Sequence, residues 1–576
     1  MNQFVKVLRA MGTRTQIRST LESFSLIERV LFIILSGILI GTASVLIVHT
    51  YQLLTVITPS DRGDFTEAMI GVPRLIQPLF ATSQTDKDLT QLIYSGLMTY
   101  DHTGTLVPDL AESYSVSEDA LQYTFILKKG LTFHDGIDLT VDDVVYTIRS
   151  IQDPLTKSPL RTNWDGIGIE TLDQNTIIFT LPNPYAGFLH NTTLGIIPKH
   201  LWESIAYEHL FFAELNSSPI GSGPYMIESI KKAKNDTEPI HYTLASFSGY
   251  ARGVPHIQAV HLILFPQADA MFSSLEIYEP DALFGVTKEE STPWVNQNFT
   301  TNTGPLPRSF GLYFNTQQHP LLQDITIRRS ISQSIDRDAI LQETFGEYAD
   351  SIHSPFPYSI EQYLDVAPPT ENNIEATKSL LTKAGWNINT ETGVRKQSSG
   401  DADLTFNLVT SDTPAMRSLS TLVAEQLGEV GIHTEVVLAP LSELVQDIIP
   451  RRGFDILLFG QSFTHDTNIF AYWHSSQRND PGLNIVSYTN AKTDRLLSQA
   501  LETNNTSERL ELYEQFSNII SEEIPAVFLF SPRYSYLIGD DINRPPMDII
   551  GEPHQRFADI HTWYRYTHRI LPTFNK

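Results

Sequence analysis

The chain has 576 residues, more than one hydrophobic core usually serves, so at least two domains are expected. A hydrophobic content of 41% and an aromatic content of 10% exclude an intrinsically disordered protein. The formal net charge of −26 argues against a nucleic-acid binder, and the absence of cysteine excludes disulfides, cysteine-ligated zinc, thiol nucleophiles and an anchor lipidated on cysteine.

The first element is an apolar segment, VLFIILSGILIGTASVLIV, which runs from Val30 to Val48 without a charge. At about 1.5 Å per residue it covers nearly the ~30 Å of hydrocarbon in a bilayer. The preceding segment has an excess of basic residues, which predicts a cytoplasmic N-terminus and an extracytoplasmic body. Its charged residues are Lys6, Arg9, Arg14, Arg18, Glu22, Glu28 and Arg29.

A cleaved signal peptide is the alternative to a membrane anchor. The apolar run is longer than a usual signal core, however, and no clear A-x-A cleavage site follows it. We therefore predict a cytoplasmic tail at 1–29, an uncleaved transmembrane signal-anchor at 30–50 and a short stalk at 51–65.

Beyond residue 65, short apolar runs alternate with amphipathic helical stretches, a pattern typical of α/β domains. The segment QYTFILKKGLTFHDG (122–136) predicts a strand followed by two turns. LTVDDVVYTIRSI (139–151) predicts a helix capped by Thr140. SFGLYFNT (309–316) and FDILLFG (454–460) predict strands.

Signatures of the common catalytic sites are absent from the sequence. There is no HExxH, GxSxG, P-loop or Rossmann glycine motif. IGSGPY (220–225) indicates a tight turn, and His134 beside Asp135 is more often structural than catalytic in such a setting. The other histidines are scattered, and no carboxylate pair has helical spacing in an apolar setting. The sequence therefore predicts no catalytic residue, no metal site and no cofactor.

An ordered series of segments carries a family resemblance. They are LIYSGLMTYDHTGTLVPDLAESYSVSEDALQYTFILKKGLTFHDGIDLTVDDVVYTIRSIQDP (92–154), SPIGSGPY (218–225), GLYFNTQQHPLLQDITIRRSISQSIDRDAIL (311–341), LLTKAGW (380–386), AEQLGEVGI (424–432) and FDILLFG (454–460). The series resembles family 5 of the bacterial extracellular solute-binding proteins, the peptide- and nickel-binding components of ABC importers. The resemblance spans roughly residues 65–560.

Two features depart from the family pattern. The chain has neither a lipidated cysteine nor a recognisable cleaved signal. Its final segment, IHTWYRYTHRILPTF (560–574), is more aromatic and basic than expected. This segment could form a closing strand and helix, or a contact surface, and the sequence leaves both open.

The resemblance implies an α/β, two-lobed periplasmic-binding-protein-like fold of type II, the large cluster C variety with an extra subdomain. Lobe I would occupy 66–305, with the extra subdomain at about 105–218, and lobe II would occupy 306–526. Residues 527–576 would return to lobe I and form the C-terminal tail. Crossing strands near Pro305–Ser309 and Pro525–Pro532 would form a hinge, and a ligand enclosed between the lobes would shift an open–closed equilibrium.

The resemblance also implies a solute-binding protein, not an enzyme, that captures di- or oligopeptides for ABC permease and ATPase subunits. In peptide-binding relatives an acidic residue after the strand that matches FDILLFG often holds the ligand's amino terminus, and Asp466 is the candidate here. A turn-forming aspartate before Asn468 is the alternative. The other candidate ligand-binding residues are Gly460, Gln461, Asn468, Tyr472 and Trp473 in lobe II and Gly71, Val72, Pro73 and Arg74 in lobe I. Tyr472 and Trp473 could equally be core residues.

Two other functions remain open at this point. One is a tethered ligand sensor or interaction protein with the same fold, and the other is a binder of a nickel chelate, haem or another non-peptide solute. Neighbouring permease and ATPase genes would favour import. In each case we expect a monomer attached to the membrane by its N-terminal helix, with no nucleic-acid partner.

Overall fold

The computed structural model describes residues 24–570, apart from residues 186, 234–237, 287–298, 367–371, 399, 401, 464–467, 480–481, 504 and 548–550, and describes only the backbone of Arg29. The chain divides into two compact units. The larger comprises Asp61–Arg565, and the smaller combines Met1–Ser60 with Tyr566–Lys576.

The strands of the described part are, in chain order, β1 (Val56–Pro59), β2 (Asp64–Ile70), β3 (Met98–Tyr100), β4 (Leu106–Pro108), β5 (Ala111–Val116), β6 (Gln122–Leu127), β7 (Gly168–Thr171), β8 (Thr176–Thr180), β9 (Tyr225–Lys231), β10 (Ile240–Ser246), β11 (Ala259–Phe265), β12 (Ala282–Phe284), β13 (Phe299–Pro305), β14 (Arg308–Phe314), β15 (Ala349–Ser351), β16 (Trp386–Ile388), β17 (Arg395–Gln397), β18 (Thr405–Ser411), β19 (His433–Ala439), β20 (Ile456–Ser462), β21 (Ala526–Gly539) and β22 (Thr567–Ile570).

The α-helices of the same part are α1 (Leu26–Leu54), α2 (Gln84–Ile93), α3 (Val141–Gln152), α4 (Arg161–Trp164), α5 (Phe188–Asn191), α6 (Lys199–Trp202), α7 (Ala268–Phe272), α8 (Leu275–Tyr278), α9 (Ile325–Ser334), α10 (Arg337–Thr344), α11 (Tyr358–Glu361), α12 (Ile374–Lys383), α13 (Pro414–Glu429), α14 (Leu441–Glu443), α15 (Ile449–Arg451), α16 (Phe470–Trp473), α17 (Ala491–Glu502) and α18 (Thr506–Glu523).

A mixed sheet runs through both halves of the larger unit in the order β19-β18-β20-β14-β21-β12-β2-β11-β10-β9. The 14-residue strand β21 joins the halves. It pairs antiparallel first with β14 and then with β13 and β12. The short link Leu306-Pro307 between β13 and β14 lies beside it, since Leu306 N–H donates to Pro532 O over 2.8 Å. Two neighbouring segments therefore connect lobe I, which contains β2 and β9–β13, with lobe II, which contains β14 and β18–β20.

Strand β14 shows how the sheet of lobe II is covered on both faces. Leu312 and Phe314 belong to one buried apolar cluster, while Tyr313 belongs to another on the opposite face. The strand predicted at 309–316 is confirmed, since β14 covers Arg308–Phe314. Burial on both faces is typical of a sheet covered by helices on each side.

The region predicted to form an extra subdomain, at about 105–218, contains an antiparallel sheet, β5-β6-β8-β7, and helix α3. The predicted helix at 139–151 is confirmed within one or two residues at each end. Asp143 Oδ2 accepts the N–H of Thr140 over 2.9 Å, the reciprocal contact of a capping box. The local sequence is enough to predict this helix because its cap and its apolar face lie within the same short segment.

The smaller unit corrects the predicted stalk at 51–65. Helix α1 is 29 residues long, extends past both ends of the predicted span 30–50, and is long and apolar enough to cross a membrane. Strand β1 then pairs antiparallel with β22. The β-branched run from Val56 to Thr58 favours a strand, so a polar connection remains only between Pro59 and Asp64. The described part of the final segment thus ends in a closing strand.

Candidate ligand-binding site

The lobe I candidates form a turn at the carboxyl end of β2. Strands β2 and β11 are parallel, and ligands of open α/β sheets bind beyond such carboxyl ends. Gly71 has a φ of +132°, and a Cβ added there would lie 2.6 Å from Thr85 Cγ2. Both facts require glycine at this position.

Asp86, at the start of α2, holds the rest of this turn in place. Its Oδ1 accepts the N–H groups of Arg74 over 2.7 Å and Leu75 over 3.0 Å. Val72 and the Arg74 side chain are exposed, and Pro73 is half-buried. The turn therefore has a fixed backbone and presents one apolar and one cationic side chain to solvent.

Gly460 lies in β20, directly opposite Phe310 of β14. A Cβ at position 460 would lie 2.5 Å from the Phe310 ring, which stacks on Phe530 with ring centroids 4.7 Å apart. Close packing of an aromatic pair thus explains this glycine without a ligand.

Gln461 is the next residue of β20 and pairs with Ser309 of β14. It is 4% exposed, and among the described residues neither its Oε1 nor its Nε2 has a hydrogen-bond partner. A buried amide without partners costs about 1–3 kcal/mol per unsatisfied group. Gln461 thus offers a donor and an acceptor at one end of the lobe II sheet. This end lies next to the segments that cross between the lobes.

The loop after β20 carries the remaining lobe II candidates. Asp466 lies outside the described residues, which resume at Asn468. Asn468 Oδ1 accepts the N–H of Phe470 over 3.0 Å, so this side chain caps the following helical turn. The Tyr472 hydroxyl donates to Ser462 O, and its ring contacts Phe463 edge-on with ring centroids 5.0 Å apart. Tyr472 therefore connects α16 to the end of β20.

Trp473 lies in the core of lobe II, which favours the core interpretation over a pocket wall. The side chain is fully buried and its ring lies 5.9 Å from those of Tyr488 and Phe528. No described residue accepts a hydrogen bond from its Nε1. A tryptophan eleven residues beyond a strand gives no sequence signal that would separate these two roles.

A cluster of charges near the crossing segments was not predicted from the sequence. Lys87 Nζ lies 2.5 Å from Glu552 Oε2. Desolvation lowers the pKa of Arg308, the first residue of β14, and the carboxylate of Glu552 opposes this shift. Lys87 and Glu552 are 465 positions apart, so no local pattern could have indicated their contact.

His134 binds the turn at residues 220–225, so two of the segments that carry the family resemblance touch each other. Its Nε2 donates to Gly223 O over 3.1 Å, and its Nδ1 accepts the N–H of Gly221 over 3.3 Å. This pairing requires a neutral ring. Burial accordingly lowers the pKa of His134 to about 4. The structural interpretation of this histidine fits its contacts.

Replacing His134 with alanine is expected to lower the free energy of unfolding by about 1–3 kcal/mol, because it leaves two buried backbone groups unpaired. The folded-state pKa lies below the ordinary value of 6.5, so the unfolded chain binds the extra proton first. The stability due to His134 should be lost as the pH falls from about 6.5 to about 4. Urea denaturation at pH 7 and pH 5 measures both effects, with H209A, an exposed histidine, as control.

Within the described part of the chain, no group of three or more His, Asp or Glu residues is arranged to hold a metal ion. The candidates described above are polar and apolar side chains at two sheet ends and charges beside the crossing segments.

Comparison with known proteins shows which family the chain resembles. The family model described as "Bacterial extracellular solute-binding proteins, family 5 Middle" matches residues 105–481. The chain is 27% identical to the Oligopeptide-binding protein AppA of Bacillus subtilis, covering 82% of this chain and 87% of that protein. It is 24% identical to the Dipeptide-binding protein of Escherichia coli, covering 84% and 92%.

Solved structures show the same two-lobed fold. AppA from Bacillus subtilis in complex with a nonapeptide has a TM-score of 0.67 at 25% identity, covering 88% of this chain and 100% of that one. The ABC transporter substrate-binding protein CtaP of Listeria monocytogenes has a TM-score of 0.74 at 24% identity, with the same coverage.

Proposed function

From the premise that the chain belongs to family 5 of the bacterial extracellular solute-binding proteins, we propose that it captures di- or oligopeptides between its lobes and delivers them to an ABC importer. Its similarity to oligopeptide- and dipeptide-binding proteins extends over 82% and 84% of the chain. Capture and delivery need no covalent step. The partners would be a peptide, a permease and an ATPase, with the protein acting as a monomer.

The unpaired amide of Gln461 is the observation that carries this proposal. In the part of the chain that the structure describes, this buried donor and acceptor have no partner, and they lie at the end of β20, next to the segments that cross between the lobes. Main-chain N–H and C=O groups of an extended peptide match such a pair, as in strand addition to a sheet edge. The exposed Arg74 of lobe I suits a carboxylate of the same ligand.

Closure of the two lobes over the ligand would supply the binding affinity. Micromolar binding corresponds to about −8 kcal/mol, within reach of several enclosed hydrogen bonds and a charged anchor. Only the closed form contacts the ligand from both lobes, so binding free energy favours that form. The segments β13–β14 and β21 connect the lobes and would carry the hinge motion.

Native mass spectrometry of the full chain purified in detergent tests the proposal, because a tightly held ligand survives purification. We expect adducts whose masses correspond to short peptides, and synthetic peptides of those masses should bind in calorimetry. Recovery of only a metal chelate or another non-peptide solute would contradict peptide capture. Cleavage of added peptides would indicate a hydrolase instead.

We further propose that α1 is retained as an uncleaved anchor with its N-terminus in the cytoplasm. The guanidinium of Arg569 in β22 supports this, since its Nη1 reaches Gln52 O over 3.3 Å and Thr55 O over 3.4 Å. A cation at the C-terminal end of a helix satisfies its last carbonyls. The intact mass of the membrane-extracted protein tests retention, and a mass lacking the first fifty or so residues would contradict it.

Asp466 is proposed to bind the ligand's amino terminus. Replacing it with asparagine removes one charge while keeping an acceptor, so we expect peptide affinity to fall about tenfold, or about 1.4 kcal/mol. Calorimetry with a free and an N-acetylated peptide measures the effect, which should be confined to the free amine.

The control for Asp466 removes a negative charge elsewhere. E375Q changes a carboxylate on α12 that is 84% exposed. It should leave both peptides unaffected. An equal loss in D466N for the acetylated peptide would show that Asp466 does not meet the amine.

A further inference from the structure

The two-stranded sheet of β1 and β22, here called the anchor ribbon, joins the chain next to α1 to its C-terminal segment. Its register pairs Val56 with Ile570 and Pro59 with Thr567. Only Thr55 separates the end of α1 at Leu54 from the first ribbon residue. The position of the ribbon is therefore tied closely to the position of the helix end.

The two faces of the ribbon differ in direction. Since side chains alternate along a strand, Ile57 and Pro59 share one face with their partners Arg569 and Thr567. Arg569 reaches back from this face to the carbonyl oxygens of Gln52 and Thr55 at the helix end. The face bearing Ile57 and Thr567 therefore points toward the helix terminus, and the face bearing His568 points away.

The length of α1 places this face near the lipid headgroups. The charge-free run up to Val48 takes up the hydrocarbon layer, and residues 49–54 continue the helix by about 9 Å at ~1.5 Å per residue. The headgroup region on each side of a bilayer is about 5–8 Å deep. The helix thus ends at the outer limit of the headgroups, where the ribbon begins.

The composition of the ribbon and its surroundings suits this position. Ile57 is 59% exposed, and Tyr51, Leu53 and Tyr566 are also more than half exposed. Residues 49–60 and 566–576 contain no Asp or Glu, in a chain with a net charge of −26. Exposed apolar and aromatic side chains beside an arginine, without acidic residues, are typical of a membrane interface.

We propose that the anchor ribbon rests on the extracytoplasmic lipid headgroups, with Ile57 in the interface and Arg569 bound to lipid phosphate. The contacts of Arg569 with Gln52 O, Thr55 O and Thr55 Oγ1 all use Nη1. A second point of membrane contact would restrict rotation of the anchor. This inference rests on the proposed anchoring of α1.

Site-directed spin labelling of the full chain tests the inference, because the protein contains no native cysteine. Nitroxides are placed on T567C, on the membrane-directed face, and on its matched control H568C, on the opposite face; both residues are exposed. L35C within α1 reports on the anchor itself. The protein is reconstituted in vesicles of phosphatidylcholine with phosphatidylglycerol, and collisions with oxygen and with a water-soluble paramagnetic chelate are measured.

We expect the chelate to collide with the Thr567 label several-fold less often than with the His568 label, and hardly at all with the Leu35 label. R569Q in the T567C background should lower the ratio of membrane-bound to water-exposed Thr567 label about fivefold. The attraction of one arginine to an anionic surface corresponds to about this factor. I57C should repeat the Thr567 result on the other strand, guarding against local distortion by one label.

Equal chelate collisions at Thr567 and His568, with Leu35 protected, would overturn the ribbon contact while leaving the anchor intact. Free access of the chelate to Leu35 would overturn the anchor, and the ribbon contact with it. Protection of Thr567 that does not change in R569Q would overturn the phosphate contact of Arg569.

Discussion

Replacing Arg556 with methionine is expected to lower the free energy of unfolding by about 3–5 kcal/mol, because two buried carboxylates would lose their cation. Arg556 is fully buried in lobe I. Its Nη2 lies 2.6 Å from Glu67 Oε1 and its Nη1 lies 2.7 Å from Asp88 Oδ1. Neither carboxylate has any exposed side-chain surface. Urea denaturation followed by tryptophan fluorescence measures the loss.

The rest of the surroundings explains why no other group could compensate. The hydroxyl of Tyr536 donates to Glu67 Oε2 over 2.8 Å, and Phe284 and Phe557 each face the guanidinium at 4.1 Å. Removing the arginine leaves aromatic rings, the Tyr536 hydroxyl and the amide of Gln84, whose Nε2 donates to Asp88 Oδ1 over 2.7 Å, around two negative charges. The C-terminal segment would lose its buried link to β2 and α2.

The expected destabilisation of R556M depends on pH. Burial raises the pKa of Glu67, and Arg556 opposes that shift, so the variant should have a still higher pKa at this position. A carboxyl whose pKa is higher in the folded than in the unfolded state favours folding at low pH, and this contribution is lost as the pH rises through the folded-state value. The loss in R556M should be larger at pH 8 than at pH 5.

Arg417 provides the control for Arg556. It pairs with Asp412 at the surface, with 60% and 43% of the two side chains exposed, and R417M should cost less than about 1 kcal/mol. If R556M lost less than about 1 kcal/mol of stability at every pH, the role assigned to the buried ion pairs of Arg556 with Glu67 and Asp88 would be contradicted.

Arg556 also shows which features of the fold the sequence could predict and which it could not. The helix at Val141–Gln152 and the strand at Arg308–Phe314 follow from caps and alternation that lie within a dozen residues. Arg556 and Glu67 are 489 positions apart, and their contact depends on the whole fold. The stalk was predicted wrongly for the same reason, because the partner of β1 lies at the other end of the chain.

The candidate site also has features that the sequence could predict and features that it could not. Motif order indicated the strand that carries Gly460 and Gln461, and the family resemblance named Gly71 among the lobe I candidates. The sequence could not separate a packing glycine from a ligand-facing one, nor show that Trp473 is fully buried. Burial and hydrogen-bond satisfaction are properties of the assembled lobes, and they single out Gln461 among the residues that family resemblance had grouped together.

Replacing Gln461 with leucine should therefore change stability and affinity in opposite directions. In the ligand-free protein the substitution removes two unpaired buried groups and should raise the free energy of unfolding by about 1–3 kcal/mol. In the complex it leaves the matching groups of the peptide without partners, which should weaken binding by about 1–3 kcal/mol, or roughly 5- to 150-fold. Urea denaturation of the ligand-free chain and peptide calorimetry measure the two effects.

Thr410 on the adjacent strand β18 is the matched control, because its buried hydroxyl already donates to Leu458 O over 2.9 Å. T410V should lose about 1 kcal/mol of stability and keep its peptide affinity. A substitution that stabilises the empty protein while weakening the complex identifies a polar group whose partner arrives with the ligand. If Q461L instead lost stability and kept its affinity, the amide would serve the lobe II core through a bound water, and the peptide would be held elsewhere in the cleft.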